Sequence, residues 1–239
     1  MFHGLKYLKY RKKGCIFATD FQKSYLAKTM DKTSFSITFV GVWERPLAVL
    51  PNFENKFAKD LFGQPYDTFC GFTPEGFVVA IENKPFPMIA LGPTRLVVKA
   101  KDKESLLNYI ELIKPEIDSR VSGFRFSSFG INSEYQWTDI GESPEVWLWN
   151  HFINSSLSCV SQVQMCSKLN LRIGINETQV ANVEIEPRRG IRNGIFANIN
   201  HHHTEMLDGL PTREEAEILI EDSIEAIENK IVLKLIEND

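Results

Sequence analysis

The densest group of chemistry-bearing side chains in this 239-residue chain is Asn200-His201-His202-His203-Thr204-Glu205, followed shortly by Asp208. Alternate side chains of an extended strand share a face. A strand running through this segment would therefore turn His201, His203 and Glu205 the same way. Two imidazoles and a carboxylate are donors for zinc, manganese or iron, and Asp208 could complete the set or orient a histidine from behind. A divalent metal held there would activate water with a carboxylate as base, which is the chemistry of a metal-dependent hydrolase acting on phosphodiesters. The spacing is not His-Glu-x-x-His, and only His3 and His151 stand elsewhere. An exposed polar strand end or a satisfied loop accounts for the run better, without any metal.

Three other groups invite the same question. Glu184 and Glu186 sit two apart on one strand and share a face. They could join the histidines if the strands were neighbours, yet alternation with Val183 and Ile185 predicts that they simply face solvent. Arg188, Arg189 and Arg192 form a basic turn that could grip a carboxylate or phosphate, or serve as a charged hairpin loop. Trp147 and Trp149 lie about 200° apart on a helix, near Trp137, so one can be core while the other offers a partner-binding surface. Phosphate-binding glycine loops, dinucleotide fingerprints, nucleophile elbows and RNA-binding aromatic motifs are all missing from the sequence.

Composition narrows the class. Hydrophobic residues make up 43% and aromatics 11%, enough for a substantial core. No apolar run reaches the roughly 20 residues that cross a bilayer, so no membrane partner is expected. Cys15, Cys70, Cys159 and Cys166 are scattered without a Cys-x-x-Cys pair, which fits reduced thiols and a cytoplasmic location. The net charge is −4, but residues 1–30 hold seven Lys/Arg against Asp20, a local +6 that leaves −10 for the rest. An acidic body argues against nucleic acid as a partner except through that arm. Residues 1–33 read as a basic N-terminal arm, solvated and disordered. Met30, just before the first patterned strand, is a candidate translation start.

The remaining elements predict an α+β fold in two halves, 34–118 and 119–239. In the first, Ser34–Val42 alternates as a strand, and Phe53, Phe57 and Leu61 mark a helix capped by Gly63. Strands follow at Thr68–Phe72, Phe77–Glu82 and Arg95–Ala100. A helix over 103–114 starts at Asp102 and ends at Pro115. In the second, Phe124–Trp137 is a long strand and Ser143-Pro144 opens a helix. Strands are predicted at Cys159–Met165, Leu169–Asn176, Val180–Glu186 and Gly194–His201. Thr212-x-x-Glu215 is a capping box before a stripe from Ala216 to Ile231. Each half thus reads β-α-β(3–4)-α, with antiparallel sheets covered by helices on one face. Two such units could join edge to edge and leave the other face of the sheet open.

Three short segments, Arg45-Pro46-Leu47, Phe129-Gly130-Ile131-Asn132 and Val183-Glu184-Ile185-Glu186, resemble those of a sporadically distributed family of uncharacterised bacterial proteins. The resemblance implies a two-half α+β architecture and mobile, defence or toxin–antitoxin-like loci, and it supplies no catalytic residue. Together these readings favour a non-enzymatic protein that binds a protein partner or itself and needs no cofactor. The metal-dependent hydrolase built on His201, His203, Glu205 and Asp208 is the alternative.

Overall fold

The computed structural model describes residues 30–53, 55–63, 67–153 and 165–237. Residues 1–29, and with them most of the basic arm and Cys15, lie outside the described residues. So do Cys159 and the strand expected over Cys159–Met165, apart from Met165 itself. The elements are β1 (Asp31–Trp43), α1 (Asn55–Phe62), β2 (Thr68–Thr73), β3 (Gly76–Ile81), β4 (Met88–Leu91), β5 (Arg95–Ala100) and α2 (Lys103–Arg120). They continue with β6 (Phe126–Thr138), α3 (Pro144–Phe152), β7 (Leu169–Gly174), β8 (Gln179–Pro187), β9 (Ile195–His203) and α4 (Arg213–Ala226). The last runs on in a π-helical segment, Ile227–Ile236.

All nine strands lie in one antiparallel sheet, ordered β2-β3-β4-β5-β1-β6-β9-β8-β7. The long strands β1 and β6 form its middle and pair from Asp31↔Thr138 to Trp43↔Phe126. Strands from residues 34–118 and 119–239 therefore share one sheet, meeting at the β1–β6 pair.

One face of that sheet is apolar because alternation puts Ile37, Phe39, Ile131, Ile199, Val183 and Ile185 on the same side, each buried. The helices cover this face. Ala58 and Leu61 of α1, Leu106, Ile110, Ile113 and Ile117 of α2, and Ala216 and Ile220 of α4 share a cluster with Phe39, Phe126 and Phe129. A second cluster joins Leu148 of α3 and Ile231 and Val232 of the π segment to Trp137, Val183 and Ile195. Asp102 caps α2 by accepting from the Ser105 N–H at 2.8 Å, and Thr212 and Glu215 form the expected capping box of α4.

Two local expectations change. Pro115 does not end α2, which runs to Arg120. Proline removes one helical hydrogen bond, but Ile117 is fully buried and extends the stripe by another turn, which holds the helix together. The second is β4, four residues between the proline-rich Asn83–Pro87 stretch and Gly92, too short to show a period of its own.

Gly41 marks where the central pair is tightest. A Cβ there would land on the Phe126 ring, which stacks on Trp43 with centroids 4.7 Å apart. Gly41→Ala is expected to lower stability by about 1–3 kcal/mol, as overpacking does, in urea denaturation followed by tryptophan fluorescence.

Candidate binding site on the open sheet face

The histidine run ends up on both sides of the sheet. β9 stops at His203, so His201 and His203 do share a face, but it is the covered one, and they are 1% and 3% exposed. Opposite them stand Ile131 and Ala181 for His201, and Phe129 and Gln179 for His203. They lie where the two apolar clusters meet. His203 stacks on Phe129 at 4.3 Å and its Nε2 lies 3.1 Å from Ser223 Oγ of α4. His201 packs against His203 at 4.3 Å, and neither of its ring nitrogens has a hydrogen-bond partner. Burial, with His203 beside it, pulls the His201 pKa down to about 4, and burial lowers that of His203 as well.

The other two residues of the expected metal set are elsewhere. Glu205 lies beyond the strand end and accepts from Thr178 Oγ1 at 2.9 Å. Asp208 is paired with Arg125 at 2.6 Å on the surface. Among the described residues, no three His, Cys, Asp or Glu side chains are grouped so as to hold a metal. Glu184 and Glu186 point away from the histidines, because Glu184 stands opposite Asn198 while His201 stands opposite Ala181. Both glutamates reach Lys168, at 2.7 and 3.9 Å.

The basic turn also divides. Arg188 lies between the Phe35 and Phe196 rings, 5.3 and 5.5 Å from their centroids, and its Nε donates to Gln136 Oε1 at 3.0 Å. Arg189 and Arg192 remain exposed in the turn. Trp147 is buried in the second cluster, stacked on His151 at 4.4 Å, and Trp149 is half-buried against the same cluster. One tryptophan is thus core and the other reaches only partway to solvent.

What the structure adds is on the uncovered face. No described helix packs there, and β6, β9, β8 and β7 present polar side chains in register. One row crosses four strands: Asn132 of β6 stands opposite Asn200 of β9, Asn200 opposite Asn182 of β8, and Asn182 opposite Arg172 of β7. The adjacent row runs Glu134, Asn198, Glu184, Asn170. Between them lies a cleft of about 420 Å³, floored by these amides and bordered by Arg172 and Glu184. It is a shallow depression, open to solvent along much of its length. Glu134, two residues from Asn132 on β6, is neutralised by Lys99 at 2.8 Å and accepts from Ser36 Oγ at 2.6 Å.

The amides are not held by their neighbours. None of Asn132, Asn182, Asn198 and Asn200 makes a side-chain hydrogen bond among the described residues. The Oδ1 atoms of Asn132, Asn198 and Asn200 are sealed from solvent without a donor. Asn200 Oδ1 lies over the Cα of Gly130, 2.6 Å from where a Cβ would stand. A carbonyl oxygen tolerates that position because it can accept weakly from the glycine Cα–H.

Asparagine is depleted in strands, and a buried acceptor without a donor destabilises by about 1–3 kcal/mol. Four neighbouring asparagines on three adjacent strands, three of them in one row, are therefore a poor choice for folding alone. A signal was present in the sequence: Asn132, Asn182, Asn198 and Asn200 all fall on polar positions of predicted strands, where Thr or Val would serve the sheet better. Only the register, which sequence does not reveal, aligns them. Compared with protein-family models and with curated proteins, the chain matches none.

Proposed function

We propose that this protein is a non-enzymatic binding protein whose uncovered sheet face holds a protein partner at the asparagine cleft. The observation that carries the reading is the row Asn132–Asn200–Asn182 with Asn198 beside it, whose amides bond to nothing among the described residues and in which the Oδ1 atoms of Asn132, Asn198 and Asn200 are sealed without donors. Polar groups kept at a cost to stability belong to function, since a sheet selected for stability alone would carry β-branched residues there. The sheet order, with β1 and β6 central and each followed outward by strands of its own half, supports reading the chain as two copies of one β-α-β-α unit. Free thiols at Cys70 and Cys166 support a reducing, cytoplasmic setting. Among the described residues no helix is long and apolar enough to cross a membrane. The resemblance carried by Phe129–Asn132 and Val183–Glu186 supports a bacterial, defence-type context.

The test is thermal denaturation of Asn200→Val. The expected result is a gain of about 1–2 kcal/mol, because the sealed oxygen disappears and a β-branched side chain takes its place. A loss of similar size would make Asn200 a structural residue and sink the reading. The hydrolase alternative requires His201, His203, Glu205 and Asp208 around one ion. The partners that His203, Glu205 and Asp208 have already taken speak against it, as does the burial of His201 on the helix-covered face.

A further inference from the structure

With the Oδ1 atoms of Asn132, Asn198 and Asn200 sealed from solvent, the binding groups that a ligand can still reach in the cleft are of one kind. Glu184 is tied to Lys168 at 2.7 Å and Glu134 to Lys99 at 2.8 Å, so the acidic groups already have cations. Arg172 is exposed and makes no ion pair among the described residues. The amides of Asn170, Asn182, Asn198 and Asn200 donate to nothing within the described fold, and of the last two only the oxygens are sealed from solvent. What remains is an array of neutral N–H donors beside a single guanidinium. Its complement is a ligand rich in carbonyl acceptors with one negative charge.

We infer that the cleft binds the carboxyl-terminal end of a peptide chain. The terminal carboxylate lies on Arg172, and the preceding backbone carbonyls accept from the asparagine amides. A guanidinium pairs with a carboxylate through two parallel hydrogen bonds, and neutral amides suit carbonyls without demanding further charge. A phosphate-rich ligand fits poorly, because among the described residues Arg172 is the one cation in the lining and the Glu184 carboxylate shares it. A nucleobase fits poorly too, because no aromatic ring lines the cleft on which it could stack. The inference rests on the binding-face reading and gives it a ligand class.

The experiment follows the asparagine side-chain NH2 signals of the full-length protein by ¹⁵N–¹H NMR during titration with N-acetyl-triglycine and, separately, N-acetyl-triglycinamide. The expected result is that the acid moves the signals of Asn182, Asn198 and Asn200. The amide should bind about tenfold more weakly, as loss of a charge-assisted pair requires, and Arg172→Gln should bring the acid to the level of the amide. Equal binding of the two peptides, an Arg172→Gln variant that keeps the difference, or no movement with either peptide would overturn the inference. If the peptides fail while Asn200→Val is stabilised, the face remains a binding surface and only the ligand class falls.

Discussion

Between pH 6.5 and pH 4 the protein is expected to lose about 3 kcal/mol of stability, because His201 titrates in the unfolded chain but not in the fold. Its folded pKa of about 4 lies below the ordinary value of 6.5, so the fold favours the neutral ring. That preference has no effect above pH 6.5, where both states are neutral. As the pH falls below 6.5 the unfolded chain takes up a proton that the folded chain refuses, and stability declines until the folded pKa is reached. His203, lowered for the same reason, adds to the loss. Lys230 and His202 repel the charged form of His201, while Glu205 and Asp222 favour the charged form of His203 and soften its share. Urea midpoints measured from pH 7.5 to pH 4 give the slope directly. In His201→Leu the slope should flatten, since an apolar ring-sized group replaces a nitrogen pair that has no partner. A stability that stays level across this window, or a variant that keeps the full slope, would contradict the placement of His201 in the core.

The second large effect is at the joint of the sheet. Phe39 is 1% exposed on β1, stacks on Phe129 across the β1–β6 pair with centroids 6.3 Å apart, and meets the edge of Phe126 at 6.0 Å. The pair β1–β6 is the seam through which the two sides of the sheet cohere. Phe39→Ala is expected to destabilise by about 3–5 kcal/mol, from lost burial and from a cavity that rigid strands on both sides cannot close. Chemical denaturation by circular dichroism reads this as a lower midpoint with an unchanged slope. A loss below about 1 kcal/mol, the scale of a surface substitution, would place Phe39 outside the core.

These two sites also show what a sequence reveals. Phe39 was legible, since Phe35, Ile37 and Phe39 alternate with Ser34, Ser36 and Thr38 in a strand pattern. A β-bulge between Ser34 and Ser36 then sends Phe35 to the other face, against Phe86 and Phe196, which alternation alone could not foresee. The pairing of His201 with His203 on one face was equally legible. Its direction was not, because histidine is as compatible with a packed core as with solvent. The deciding facts are the burial of Ile131 and Ala181 on either side. Capping at Asp102, Ser143 and Thr212 was readable because caps act within three residues. The asparagine row was not, because it exists only through register between strands far apart in the chain. Asn132 and Asn200 are 68 positions apart in sequence and face each other only once β6 and β9 pair.

The central claim is that the uncovered face keeps its asparagines for binding and against stability. Differential scanning calorimetry of the triple variant Asn132→Val, Asn198→Val, Asn200→Val tests it most directly, because all three sealed oxygens are removed together. A melting temperature raised by about 5–10 °C, the equivalent of about 2–4 kcal/mol in a chain of this size, is the predicted result. A lower melting temperature would mean that the amides hold the sheet together, and the face would then lose its claim to be a binding site.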